Sequence, residues 1–330
     1  ALVVAVGCSV QLNGEKLNDE TNVDIIIGTK HKGNIGKIIK EKLDGMELKP
    51  EISKFQSRED FEELKITSVH DKTRANIKIQ DGCSQYCSYC IIPYVRGPIR
   101  SRNHKDIVEE IKKVAANGYR EIVLNGIHIS SYGRDVNEDD ALIRLIEDID
   151  NVEGIERIRL GSLEPKLITE DFIERYSKLN NTCDHFHLSL QSGCDSVLKR
   201  MNRKYTTTEY KNNVEIIRKF MPDAGITTDI IVGFPGETEE EFQETLEFVK
   251  SIKFSRIHVF KYSGREGTKA AEMPVQIEES VKSERSRELI SLGNIISKEF
   301  MNKFLGKDMS VLIETLKNED IFIINDKFSN

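Results

Sequence analysis

The sequence predicts a parallel α/β fold, and three observations predict it. From Ala75 onward, short apolar runs alternate with amphipathic stretches of helical period, six times over. Adjacent parallel strands need a helical crossover, so this alternation implies a parallel sheet. Small or polar residues recur where the strands end, as a ligand-lined mouth requires, because parallel α/β folds place their sites at the carboxyl ends of the strands. Periodicity alone leaves an open doubly wound sheet and a barrel both standing.

Residues 1–45 read as strand (Leu2–Val6), loop, strand (Val23–Ile27) and helix (Asn34–Leu43), and the charged, weakly periodic residues 46–74 as a connector. The six strands are expected at Ala75–Gln80, Glu121–Leu124, Arg157–Leu160, His185–Leu190, Thr227–Val232 and Arg256–Tyr262. Between them, helices are expected near Lys105–Ala116, Ala141–Ile149, Glu170–Lys178, Thr207–Phe220 and Glu239–Ile252. The last two open on Thr206-Thr-Thr-Glu209 and Thr238-Glu-Glu-Glu241, where hydroxyl and carboxylate can satisfy free amides reciprocally. A long charged helix, Glu278–Phe304, follows, and Ile321–Ile324 reads as a strand. The chain starts inside an apolar run without a methionine, and both ends look cut from something longer.

Composition describes a soluble, cytoplasmic-type chain: 38% hydrophobic, 31% charged, with no long apolar segment and no signal peptide. A formal charge of −7 argues weakly against nucleic acid. Two basic groups run against that average, Arg96, Arg100, Arg102, His104 and Lys105 in one and Lys199, Arg200, Arg203 and Lys204 in the other.

Cys83-Ser84-Gln85-Tyr86-Cys87-Ser88-Tyr89-Cys90 carries the most chemistry. Three thiolates at this spacing on one loop can hold three corners of an iron–sulfur cube and leave the fourth iron open. Structural zinc wants four ligands in short pairs. Six cysteines in 330 residues are also too sparse for a disulfide framework. The loop follows the first strand of the repeat, on the edge where a site is expected. Later strand ends bear Asn125-Gly126, Ser162-Leu-Glu164-Pro165, Ser189-Leu-Gln191-Ser192-Gly193, Gly233-Phe-Pro-Gly236-Glu237 and Lys261-Tyr262-Ser263. His185 and His187, two apart on one strand, share a face. With no third ligand suggested, they read as an ordinary polar lumen pair.

These residues resemble a known family. Cys83–Cys90, extended through Ile91-Ile-Pro-Tyr-Val-Arg-Gly97 to Arg100-Ser101-Arg102, is similar to the radical S-adenosylmethionine methylthiotransferases. The likeness continues through Ser162–Pro165, His187–Ser192, Met201–Tyr205 and Gly233–Glu237. Gly97-Pro-Ile-Arg-Ser-Arg102 and His258-Val-Phe-Lys-Tyr-Ser263 look closest to the tRNA N6-threonylcarbamoyladenosine branch. The isopentenyladenosine and ribosomal-protein branches are the alternatives, and a non-catalytic iron–sulfur RNA-binding fragment is a third reading.

The resemblance implies a partial (β/α)6 barrel over 61–304, with the end of a truncated amino-terminal α/β domain over 1–60. Residues 305–330 would start a TRAM-like β module. It implies that Cys83, Cys87 and Cys90 bind a 4Fe–4S cluster whose free iron chelates S-adenosylmethionine. Tyr89 is expected beside the adenine, Gly126 near the methionine end and Glu164 at the ribose, with Ser189, Gln191 and Arg203 as further cofactor contacts. A second 4Fe–4S cluster belongs to the full-length family pattern, and Cys8 matches one of its three ligands. The implied substrate is the modified adenosine beside the anticodon, converted to its 2-methylthio form. Arg96, Arg100, Arg102 and Lys204 are candidate contacts to the tRNA anticodon stem-loop. The expected electron donor is a flavodoxin or ferredoxin.

Overall fold

The computed structural model describes residues 1–20, 22–56, 60–64, 73–317 and 320–325. The chain begins with β1 (Val4–Val6), α1 (Cys8–Glu20), β2 (Ile25–Ile27) and α2 (Ile35–Leu43), with β1 and β2 paired in parallel. All three β2 isoleucines are buried. The segment expected as a loop is therefore the helix α1. Its apolar periodicity is weak, so tertiary packing rather than pattern holds it. A Cβ at Gly14 would lie 2.1 Å from Ile52 Cδ1, so a larger residue there would require the Ile52 side chain to shift.

The repeat follows in the expected order. β3 (Arg74–Asp81) leads through the cysteine loop to α3 (Ile92–Arg96), a two-residue β4 (Arg100–Ser101) and α4 (His104–Ala116). Then come β5 (Glu121–Gly126), α5 (Ala141–Asp150), β6 (Arg157–Leu160), β7 (Ser162–Leu163) and α6 (Glu170–Ser177). β8 (His185–Leu188), α7 (Asp195–Arg200), α8 (Thr207–Phe220), β9 (Gly225–Val232), α9 (Glu239–Ile252) and β10 (Arg256–Lys261) complete the wall. The helix α10 (Glu279–Asn302) packs on β10, and β11 (Val311–Lys317) and β12 (Asp320–Asn325) form an antiparallel hairpin.

The sheet runs β4-β3-β5-β6 and then β7-β8-β9-β10, with only Gly161 between β6 and β7. All its pairs are parallel except β3–β4. The result is a curled half-barrel in strand order, as sequential crossovers dictate. Both helix-start signatures form reciprocal capping boxes, at Thr206/Glu209 and Thr238/Glu241.

Alternation along the strands sorts the two faces. Ile77, Ile79, Ile122, Leu124, Phe186, Leu188, Ile226 and Ile230 are buried in the main core with Ile107, Ile111, Leu145, Ile149, Ile173, Val214, Leu246 and Val249 of the helices. Most of the residues between them are polar, Val123 of β5 being an exception. Glu121 accepts from Arg157 (2.8 Å) and Arg159 (3.0 Å), all three buried. Asn125 donates to Asn76 at 2.6 Å. Both faces of a parallel sheet are ordinarily apolar. A polar inner face marks this one as built for something other than packing.

Candidate functional site

The cysteine loop leaves β3 through Gly82, whose φ of 73° is in the left-handed region and whose added Cβ would lie 1.8 Å from Pro98 O. Distant parts of the chain then pin the loop. Ser88 donates from N to Met201 O (3.0 Å) and from Oγ to Arg200 O (2.8 Å), while its own carbonyl accepts from Ala270 N (2.8 Å). Asn202 Nδ2 donates to Tyr86 O at 2.7 Å.

Cys83, Cys87 and Cys90 are free and half-buried. Burial pushes the Cys83 thiol up to about 11, and the neighbouring Cys87 and Cys90 add to it. Burial raises Cys90 as well. Such thiols ionise only beside a cation. Among the described residues, no three His, Cys, Asp or Glu side chains converge on a point fit for a single metal ion. A cube needs no such point, because its three sulfurs bond three different irons. Arg203 Nη1 lies 3.2 Å from Cys87 Sγ, and its Nε donates to Tyr205 OH at 2.9 Å.

Glu164 faces the same loop. Its Oε2 accepts from Gln85 Nε2 (3.0 Å) and lies 3.1 Å from His128 Nε2, and its backbone N donates to Ser130 Oγ (2.8 Å). Burial alone would raise its pKa, yet the His128 hydrogen bond and nearby positive charge bring it below the ordinary carboxylate value. Its Oε1 is buried with no partner among the described residues. A buried acceptor without a protein donor is costly, and this one is available to a hydroxyl of a ligand or a water.

Gly126 ends β5 against Gln80. Fully buried, Gln80 donates from Nε2 to Asp81 O and Gly82 O (2.7 Å each) and accepts at Oε1 from His128 N (2.7 Å). One amide thus joins the cysteine loop to the loop bearing His128. Tyr89 and Gln191 line a pocket of about 230 Å3 with Asp229, Ile231, Phe260, Tyr262 and Arg265. The Ser189 carbonyl accepts from Tyr205 OH at 2.8 Å. Tyr86, Gln191 and Asn202 all hold positive φ, of 50°, 70° and 59°. Three non-glycine residues so placed around one mouth store local strain, which tends to concentrate at functional sites. Sequence reading missed Gln80, His128 and Ser130: nothing in a lone glutamine, histidine or serine signals a partner tens of residues away.

The inner face continues downward as Asp229–His187 (3.2 Å), His187–Thr227 (2.9 Å) and Thr227–His185 (3.2 Å), with the His258 ring 5.9 Å from that of His187. Burial, then the Arg159 charge, lowers His185 to about 3, which keeps it neutral.

The first basic group is a correction. Arg100 and Arg102 are buried, not spread on a solvated face. Arg100 pairs with Asp81 at 3.5 Å and donates to Arg96 O and Pro98 O; Arg102 pairs with Glu63 at 2.8 Å and with Glu110. Arg96 is half-buried, 3.1 Å from Asp81. These arginines brace the root of the loop, their side chains engaged with internal carboxylates and carbonyls. Lys204 alone of the four is exposed. Cys8 is exposed at the start of α1. The remaining cysteines, Cys183 and Cys194, are buried. Among the described residues, Cys8 has no further thiol beside it with which to hold a cluster.

Residues 77–249 match the Radical SAM superfamily model. The chain is 38% identical over 314 residues to threonylcarbamoyladenosine tRNA methylthiotransferase MtaB of Bacillus subtilis, covering 95% of this chain and 69% of that protein. It is 40% identical over 323 residues to tRNA-2-methylthio-N(6)-dimethylallyladenosine synthase of Thermoanaerobacter sp. (strain X514), covering 97% and 68%. Among solved structures, the radical S-adenosylmethionine methyltransferase TsrM from Kitasatospora setae superposes with TM-score 0.51 at 17% identity, over 60% of this chain and 38% of that one. Coproporphyrinogen III oxidase from Escherichia coli does so with TM-score 0.51 at 15% identity, over 68% and 53%. These two likenesses speak for the fold, and the sequence relatives for the family. The chain belongs to the radical SAM superfamily and, within it, to the tRNA methylthiotransferases.

Proposed function

We propose that Cys83, Cys87 and Cys90 hold a 4Fe–4S cluster, that S-adenosylmethionine binds beside it, and that the protein methylthiolates N6-threonylcarbamoyladenosine next to a tRNA anticodon. The observation that carries the proposal is the convergence on one strand-end mouth of three half-buried thiols, the cationic Arg203 and the unpartnered Glu164 oxygen. When bound, the cluster and its cofactor supply the reducing electron and the radical chemistry that sulfur insertion requires.

The chain's own residues bind and orient. Arg203 donates to Cys87 Sγ, fixing the direction of that sulfur. Glu164, held by His128 and Gln85, presents its free oxygen to a hydroxyl donor such as a ribose. Gly126 leaves backbone bare for close approach, and Tyr89 with Gln191 closes the pocket wall. Ser189 enters through its position beside Tyr205. Lys204 remains the candidate phosphate contact of the original four.

Residues 1–60, 61–304 and 305–330 are the units we assign to the amino-terminal, catalytic and TRAM-like parts. A flavodoxin or ferredoxin is the electron donor that fits, and the cytoplasm the compartment that supplies tRNA. Among the described residues, no helix is long and apolar enough to cross a membrane. The threonylcarbamoyl branch rests on the motifs at Gly97–Arg102 and His258–Ser263, since relatives named for either adenosine reach similar identity.

Anaerobic reconstitution tests the core claim. The wild type should take up four irons per cube and cleave S-adenosylmethionine with dithionite, and serine at Cys83, Cys87 or Cys90 should abolish both. A cluster-loaded wild type that yields no 5′-deoxyadenosine would sink the proposal. Nucleoside mass spectrometry of tRNA from cells lacking the gene reads the branch: the 2-methylthio-threonylcarbamoyl product should vanish and the isopentenyl product persist.

A further inference from the structure

Beside the cysteine loop, on the side facing α1 and α3, lies a second cleft of about 660 Å3 that none of the roles above uses. That size is within the range of nucleotide-scale sites. Tyr86 and Tyr94 stand on its wall, each 51% exposed, their rings edge to face with centroids 5.9 Å apart. Two large aromatic side chains left half in water on adjoining segments are not there for the core. Tyr86 also holds a left-handed backbone (φ 50°), fixed by the Asn202 amide on its carbonyl.

The rest of the lining is distinctive in charge. Lys16 and Lys54 contribute cations, and Gln11, Asn13 and Gln56 contribute amides. Among the described residues that line it, none is acidic, in a chain where Asp and Glu outnumber Lys and Arg by 55 to 48. Lys16 meets Glu266 only loosely, at 4.0 Å with both side chains exposed, which leaves its charge available. Exposed Lys204, tied to Asn202 at 2.6 Å, adjoins the Tyr86 backbone through that asparagine.

Aromatic faces with interleaved cations and no carboxylate are the surface that unpaired RNA selects. Splayed bases stack on the rings, and backbone phosphates meet the lysines. We propose that Tyr94 and Tyr86 form a stacking platform for an unpaired base flanking the target adenosine, with Lys16 and Lys54 on the adjoining phosphates. The inference rests on the tRNA reading above and adds where the loop is gripped. It also moves the RNA contact from the buried arginines to the exposed cleft beside them, whose Phe55 ring packs on Arg100.

The test uses the full chain and a synthetic anticodon stem-loop RNA carrying 2-aminopurine in its loop. Tyr94→Ala, outside the cysteine loop and exposed, should weaken binding roughly 5- to 150-fold, the range for one lost base stack. It should also abolish the 2-aminopurine quench, and Tyr94→Phe should restore both. Lys54→Ala should reduce the slope of log K against log salt by about 0.7, one single-strand phosphate contact. Tyr94→Ala binding the RNA as tightly as wild type, with the quench intact, overturns the platform while leaving the tRNA reading in place. The same outcome is expected if the cleft instead serves a peptide. Wild type that fails to bind the RNA overturns both.

Discussion

Gly126 is the position where the site's geometry can be tested without touching a thiol. A Cβ there would stand 2.9 Å from Gln80 Oε1, 2.9 Å from Ile129 Cγ2 and 3.0 Å from Gln80 O. The backbone oxygen is fixed in the β3–β5 ladder, so the Gln80 amide must give way. That amide is fully buried and carries bonds to Asp81 O, Gly82 O and His128 N. Overpacking costs about 1–3 kcal/mol, and each bond lost adds about 1 kcal/mol. With one of the three bonds lost, Gly126→Ala should therefore destabilise by about 2–4 kcal/mol in urea unfolding of the cluster-free protein. Because the clash and the lost bonds share one side chain, Gly126→Ala combined with Gln80→Ala should fall short of additivity by about 1–2 kcal/mol. A neutral Gly126→Ala, or strictly additive effects in the double variant, would refute the coupling between the two loops.

Two further outcomes follow from buried groups. Arg285 Nη1 donates to Glu237 Oε1 at 2.7 Å, with both side chains buried, so Arg285→Met strands a carboxylate and should cost about 3–5 kcal/mol. Adding Glu237→Gln should recover part of that loss, and hydrogen exchange should show α10 loosening in the single variant alone. His185 gives a pH dependence of definite sign. The unfolded chain takes up its proton near 6.5 and the folded chain only near 3, so the unfolded state binds more protons between them. Stability from this group is complete above about pH 6.5 and falls by about 1.4 kcal/mol per unit as pH drops toward 3. His185→Phe should flatten that slope in acid unfolding curves; an unchanged slope assigns it to other groups.

Much of the architecture was legible because it is written in local periodicity. The six strands and five helices between them recur within a few residues of expectation, and both capping boxes form as their Thr-x-x-Glu spacing requires. α1 escaped notice because Gly14 and its polar neighbours dilute the pattern, and contacts with β2 and α3 supply what pattern lacks. β4 is two residues long, too short for any period to register. At the site, the cysteine spacing announced itself. The arginines after it misled, because a run of charge in sequence says nothing about whether Asp81, Glu63 and Glu110 stand beneath it. Pairings such as Glu164 with His128 depend on which strands become neighbours, and that information lies in the sheet order.

The anchoring of the cysteine loop carries a lesson about the order of assembly. Its hydrogen bonds to Arg200 O and from Asn202 span 112 and 116 residues, and Ser88 O is engaged by Ala270 farther on still. Contacts of such separation form late, after the intervening chain has condensed. A ribosome that has delivered the three cysteines is therefore far from delivering their cradle. For the proposed cluster, the cradle that holds the three thiols in place is complete only once residues 200–270 have folded against the loop.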